Sequence, residues 1–251
     1  MTTTLPARPA VRPPTLDRTT AMRLATEEYQ RVVDQLRGLA PEDWARPTAC
    51  PGWDVRAMAG HVLGMAEMSA SQRQLISQNV AARRAGGGID ALTAVQVRRW
   101  APLSPEELVE RLATVAPRAV RGRRRAPSLL RRLTVPEEQL VGGIPEKWSF
   151  GFLIDVIATR DPWMHRMDIA SATGRQPELT ADHDGVLVAD VVAEWAQRHG
   201  RPYQLTLTGP AGGTWSSGTG GEAYELDAVE FCRVQAGRGH GDGLLAELTA
   251  W

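Results

Sequence analysis

The sequence is poor in several residue types, and each shortage excludes something. Of its 251 residues only Cys50 and Cys232 are cysteines. Two distant cysteines build neither a disulfide framework nor a cysteine-rich zinc motif. Neither has a histidine beside it in sequence, so a catalytic thiol supplied by the chain is not expected. Neither sign of charge is in excess: 29 Lys+Arg balance 29 Asp+Glu, which removes the electrostatic case for nucleic acid or an anionic membrane as partner. Lysine occurs once, at Lys147, and arginine carries nearly all the positive charge. No apolar run approaches the roughly 20 residues of a membrane span. The N-terminus lacks the apolar core of a secretory signal, so a cytoplasmic location is expected. There is no glycine-rich dinucleotide fingerprint after a strand, no phosphate loop and no Gly-x-Ser-x-Gly elbow.

What is present is the composition of a soluble protein able to bury a sizeable core, 43% apolar and 23% charged. Residues 1–15, rich in proline and threonine, are expected to form a disordered tail. Residues 16–175 read as helical. Met22, Ala25, Tyr29, Val32 and Leu36 recur at helical spacing over a first helix from about Leu16 to Gly38. A rigid loop from Trp44 to Trp53 leads to Asp54, an N-cap for a second helix striped by Val55, Met58, Val62 and Met65. His61 lies at the edge of that stripe, and Gly60 and Gly64 would allow close approach of another backbone. That helix could run on to Arg84, before Gly86, Gly87 and Gly88 end it. Weaker helical segments follow, over about Asp90–Trp100 and from Ser104-Pro105, with Leu108, Leu112 and Val115 preceding Pro117. The seven arginines from Arg118 to Arg132 read as a solvated loop or helix face. Val141 to Pro145 reads as a loop. After Gly174 the texture changes: an amphipathic helix to His199, an alternating strand Tyr203–Thr208, a glycine-rich turn region from Gly209 to Gly221 that could hold a short strand around Trp215, and a short helix opened by Asp227 and closed at Gly237. Residues 176–251 thus form a small α+β module.

The chemistry concentrates between Arg160 and Asp168. Phe150, Ile154 and Ile157 mark one helix face, and the same spacing continues through Asp161, His165 and Asp168. A face that should enter the core turns ionisable there. Buried carboxylates and imidazoles cost several kcal/mol unless paired or bound to metal. Asp161 and His165, at i and i+4, can reach one ion. With His61 they make a nitrogen–oxygen set suited to zinc or another divalent metal, with a position left open. The alternatives are that the helix surfaces here and the groups are solvated, or that Asp161 caps a new helix with Pro162 at its first position. Asp168 could orient His165 or pair with Arg166 or Arg175.

Two motifs carry a resemblance. Pro47-Thr48-x-Cys50-Pro51-Gly52-Trp53-Asp54-Val55-Arg56-x4-His61 and Arg160-Asp161-x3-His165-Arg166-x-Asp168 resemble the mycothiol-dependent maleylpyruvate isomerase family. The segment Glu230-Phe231-Cys232-Arg233-x3-Gly237-Arg238 is similar to the end of its C-terminal domain. The resemblance implies a DinB-like up-down-down-up four-helix bundle followed by a small sterol-carrier-like domain, mainly α with a C-terminal α+β module. It implies a divalent metal, usually zinc, on His61, Asp161 and His165, with Asp161 standing where the family has glutamate. It implies a role for Arg238 at the active site. It implies mycothiol or a similar low-molecular-weight thiol as cosubstrate for S-transfer or cis–trans isomerisation of a small electrophile, in a monomer or homodimer. A thiol-independent metal enzyme (a hydrolase, cyclase or isomerase) and a non-catalytic binding protein on the same fold are the alternatives.

Overall fold

The computed structural model describes residues 11–251. The chain divides into two compact units, residues 16–133 with 153–177, and residues 11–15 with 134–152 and 178–251.

The first unit is helical. Helix α1 (Arg18–Arg37) starts where Asp17 accepts hydrogen bonds from the Thr19 and Thr20 amides. Its expected stripe, from Met22 to Leu36, is fully buried. Helix α2 (Val55–Ala70) is capped by Asp54, whose carboxylate accepts from the Ala57 amide at 2.7 Å. The helix does not run on to Arg84: Ser71 is extended and caps a separate α3 (Gln72–Arg84). A side-chain hydroxyl that satisfies the free amides of a new helix competes here with continued helix. After α4 (Gly88–Trp100), α5 (Pro105–Arg125) opens with a capping box between Ser104 and Glu107 and continues through Pro117. The short α6 (Ser128–Arg132) follows. Helix α5 packs on both α1 and α2, and α8 (Ala158–Thr173) packs on the same two, which forms the expected four-helix bundle around one apolar core. The long connection between α2 and α5 carries α3 and α4. The arginine run is not uniformly solvated. Arg123 is 3% exposed, while Arg118, Arg121, Arg124 and Arg125 face water.

The approach to α8 departs from a simple helix. A single turn α7 (Phe150–Phe152) passes through a π-helical turn, Leu153–Ile157, into α8. The wider turn rotates what precedes it. Phe150 and Ile154 are therefore only half-buried, while Phe152 and Val156 occupy the interior. Pro162 lies inside α8 and has no amide for the Ala158 carbonyl four residues back. Arg123 Nη1 donates to that carbonyl instead, at 2.9 Å. The distant arginine compensates the hydrogen bond that proline removes, so the helix does not restart at Pro162. Gly174, with φ +66°, ends it in the left-handed conformation.

In the second unit, α9 (Val186–His199) buries Val188, Val191, Val192 and Trp195 against a three-stranded sheet. Strand β3 (Tyr203–Thr208) is central, antiparallel to β4 (Gly213–Ser217) and parallel to β5 (Glu222–Asp227). The earlier hairpin, β1 (Gln139–Val141) with β2 (Ile144–Glu146), replaces the loop expected around Val141. Gly142 and Gly143 both have positive φ, the requirement of a tight hairpin turn that β propensity alone does not reveal. β5 was also missed. Its chain hops past the start of β3, and a Cβ on Gly221 would lie 2.1 Å from the Pro202 carbonyl oxygen, so only glycine fits. Helix α10 (Ala228–Gln235) is capped by Asp227 and ends in a Schellman motif. The Arg238 amide reaches the Arg233 carbonyl at 2.8 Å and the Gly237 amide reaches that of Val234 at 3.0 Å.

Residues 1–10 of the expected tail fall outside the described residues. Arg12, in its remainder, is buried and forks onto Glu146 at 3.1 Å through both Nε and Nη2. Arg198 meets the same carboxylate at 2.5 and 3.0 Å. Burial alone would raise the Glu146 pKa. The two guanidiniums outweigh it and hold the group at about 2, down from its ordinary 4.5. The folded value lies below the unfolded one. The stabilisation is therefore present above pH 4.5 and lost as pH falls from there towards 2. At 1.36 kcal/mol per pKa unit it is worth about 3 kcal/mol. Urea unfolding of the wild type is expected to weaken across that window. In Glu146→Gln the pH dependence flattens and the midpoint at pH 7 falls.

Candidate metal centre

The loop before α2 is fixed by its own hydrogen bonds. Thr48 Oγ1 donates to the Trp53 carbonyl at 2.9 Å and accepts from the Cys50 amide at 3.2 Å, and Gly52 turns the chain at φ +79°. This sets the Trp53 ring over two imidazoles, 5.0 Å from His61 and 6.0 Å from His165, centroid to centroid. Those two rings stand edge to face at 5.1 Å.

His61, on α2, is 3% exposed and His165, on α8, 5%. Each has one ring nitrogen committed. His61 Nδ1 meets Gln96 Oε1 at 2.8 Å, and Gln96 is oriented because its Nε2 donates to Gln78 Oε1 at 3.0 Å. Gln78 in turn donates to the Gly64 carbonyl at 3.2 Å. His61 Nδ1 therefore carries the proton. His165 Nδ1 meets Asp168 Oδ2 at 3.3 Å, and Asp168 is fully buried. Held this way, both rings turn their Nε2 atoms to one carboxylate oxygen. Asp161 Oδ1 lies 3.3 Å from His61 Nε2 and 3.4 Å from His165 Nε2.

These separations decide what the residues fit. A tetrahedral ion with bonds of about 2.0–2.1 Å keeps neighbouring ligand atoms about 3.3–3.4 Å apart. Asp161 Oδ2 is buried and has no hydrogen-bond partner, a carboxylate oxygen waiting for a cation. The three donor atoms lie within 4.8 Å of one another. The side chain of Asp161 retains 17% exposure against 4% and 7% for the two histidines, so the cluster comes nearest the surface at Asp161. Its shorter arm, compared with glutamate, still reaches both rings because α8 continues through Pro162. The cluster attracts positive charge. Burial alone would raise the pKa of Asp161, yet His61 and His165 hold it well below the ordinary carboxylate range. Burial would lower His165, but Asp161, then Asp168 and Cys50, raise it well above its usual value.

The capping alternative for Asp161 is excluded, since the residue lies inside α8 with its carboxylate on the histidines. So are the surface pairs considered for Asp168. Arg166 forks onto Glu28 at 2.7 and 3.2 Å, and Arg175 reaches Asp43 at 3.0 Å. Three participants escaped sequence reasoning. Gln96 sits in a weakly periodic helix, where nothing marks it; its one signal is the small Gly64 opposite, whose added Cβ would lie 2.5 Å from Gln96 Cγ. Trp53 is a motif residue whose position over the rings is set by loop geometry. Cys50 has no histidine beside it in sequence, yet its sulfur lies within 4.8 Å of a His165 nitrogen and an Asp168 oxygen. The fold brings together what sequence separates by more than a hundred residues. Arg238 lies in the other unit, half-buried, with Nη1 donating to the Ala236 carbonyl at 3.3 Å.

Comparison with known proteins gives this arrangement a context. A family model described as the mycothiol maleylpyruvate isomerase N-terminal domain matches residues 25–170. Two proteins of Mycobacterium tuberculosis, named Uncharacterized protein Rv0036c and Uncharacterized protein MT0041, are each 28% identical over 217 residues, 80% of this chain and 78% of theirs. The crystal structure of the mycothiol-dependent maleylpyruvate isomerase matches with a TM-score of 0.56 at 17% identity, over 91% of this chain and 92% of that one. A histidine-to-alanine mutant of that isomerase matches at 0.52 and 16% identity, over 89% and 90%. At such identity the likeness is one of fold, a helical bundle with a small sheet module. Among the described residues no helix is long and apolar enough to cross a membrane.

Proposed function

The chain belongs to the family defined by the mycothiol maleylpyruvate isomerase N-terminal domain, and on that premise we propose that it is a metal-dependent enzyme using a low-molecular-weight thiol. The reaction is S-transfer to, or cis–trans isomerisation of, a small electrophilic substrate. The observation that carries the reading is the convergence of two oriented imidazole Nε2 atoms on Asp161 Oδ1, beside an unsatisfied Asp161 Oδ2. His61, Asp161 and His165 would hold a divalent ion, zinc by the chemistry of the donors. Such an ion, when bound, supplies Lewis acidity that lowers the pKa of a thiol.

The chain's own residues do the rest. Gln96 and Asp168 fix the two imidazole tautomers, which keeps both Nε2 lone pairs free for the ion. Trp53 covers the rings and limits water on that side. In this reading the metal-binding domain spans residues 16–175, with 134–152 folding into the other unit. Residues 176–251 contribute Arg238, whose guanidinium pairs with an anionic group of the substrate. Dependence on a reduced thiol pool gives the cytoplasm as the compartment.

The test is a turnover assay with maleylpyruvate and related unsaturated acids, with mycothiol, with glutathione and without thiol. Saturable dependence on a thiol is expected, with Arg238→Ala raising KM for the acid and leaving the KM for the thiol unchanged. Turnover that ignores thiol would replace this reading with a thiol-independent metal enzyme.

A further inference from the structure

Pro162 directly follows Asp161, one of the three candidate ligands. The residue before a proline is pushed away from the helical region, because the ring crowds its amide and Cβ. Asp161 is helical all the same, inside α8. The proline also leaves the Ala158 carbonyl without its helical donor. Both penalties fall on the turn that has to place Asp161. Only in a helix does Asp161 stand one turn from His165, where its Oδ1 lies 3.4 Å from His165 Nε2 and 3.3 Å from His61 Nε2.

One side chain holds that turn. Arg123, on α5, donates from Nη1 to the Ala158 carbonyl at 2.9 Å and from Nη2 to Thr159 Oγ1. Thr159 Oγ1 donates onward to the Asp155 carbonyl at 2.8 Å. The guanidinium thus grips two successive residues just before Asp161, and Tyr29 is its other side-chain partner. For stability alone this is a poor use of an arginine. Arg123 is buried, its Nε has no hydrogen-bond partner, and among the described residues no carboxylate pairs with it. Asp155 pairs with Arg131 instead, and the Arg131 charge is near enough to oppose that of Arg123. A buried cation without an acid destabilises the fold.

We propose, on the reading of His61, Asp161 and His165 as a metal site, that Arg123 is a positioning residue of that site. By holding Ala158 and Thr159 it keeps Asp161 helical against the proline that follows, and so sets the carboxylate between the two imidazoles. The arginine is needed because of the proline. With alanine at position 162 the backbone supplies the donor for the Ala158 carbonyl and Asp161 is no longer crowded. Arg123 then becomes dispensable to the metal.

The experiment measures zinc affinity by chelator competition, and the visible d–d absorption of cobalt(II)-loaded protein, in the wild type, Arg123→Met, Pro162→Ala and the double variant. Arg123→Met should lose about tenfold or more in zinc affinity, the scale set by groups that orient metal ligands, and its cobalt spectrum should change. Pro162→Ala should match the wild type in both. The double variant should recover the wild-type affinity and spectrum. If Arg123→Met does not fold, the double variant should fold and bind zinc as the wild type does. An arginine that serves only the packing around Tyr29 would leave the double variant as impaired as the single one. Unchanged zinc affinity in Arg123→Met, or a loss that Pro162→Ala fails to restore, would overturn the positioning role and leave the metal site standing. Wild-type protein that binds neither zinc nor cobalt would overturn both together.

Discussion

Asp161→Asn is expected to abolish thiol-dependent turnover while leaving the fold intact. Asparagine keeps the shape and removes the charge on which two imidazoles converge at 3.3 and 3.4 Å. Losing a metal's electrostatic contribution removes several kcal/mol of transition-state stabilisation, on the order of 10³-fold in rate or more. Some stability should be lost as well. Against the effect of burial, His61 and His165 hold the Asp161 pKa well below the ordinary carboxylate range, so the folded state favours the charged carboxylate and gives up that interaction in asparagine. Turnover and chemical denaturation measured on the same preparations test this. A variant that keeps a tenth of the wild-type rate would show that Asp161 is not at the reacting centre. One that fails to fold would show that the carboxylate is structural.

Glu28→Ala should have the largest effect on stability. Glu28 on α1 and Arg166 on α8 form a two-pronged pair at 2.7 and 3.2 Å, with 0% and 3% side-chain exposure. Removing one partner of such a buried pair costs about 3–5 kcal/mol. Replacing both by apolar residues of similar volume, Glu28→Leu with Arg166→Met, should recover most of the loss. Urea unfolding at pH 7 measures both. A loss below about 1 kcal/mol in the single variant would mean that water reaches Arg166.

The parts of this fold that were legible in the sequence are those written in local chemistry. The α1 stripe, the Asp54, Ser104 and Asp227 caps, the Gly174 stop and the β3 alternation each depend on a few neighbouring residues, and each is where the spacing placed it. The departures arose from distant partners or turn geometry. Nothing near Pro162 reveals that Arg123, 39 positions earlier, takes the carbonyl it orphans. Without that partner, a helix restarting at Pro162 with Asp161 as its cap is a reasonable expectation. The π-helical turn at Leu153–Ile157 likewise has no local signature, so the face extended from Phe150 was wrong upstream of α8 although it reached the right residues beyond. At the candidate centre His61, Asp161, His165 and Asp168 were visible as ionisable groups on helix faces. Gln96 was not, because a glutamine in a weakly amphipathic helix is indistinguishable from a solvated one until α2 packs against it.

The proposed reaction requires a metal at His61, Asp161 and His165, and the direct measurement is elemental analysis of protein purified without added metal and without a histidine tag. About one equivalent of zinc or another divalent ion per chain is expected in the wild type, falling to a small fraction in His61→Ala, Asp161→Ala and His165→Ala, each shown to be folded by circular dichroism. Wild-type protein that is free of metal and fails to take up added zinc would contradict it. The converging side chains would then be an ion-paired cluster in a binding protein on the same fold.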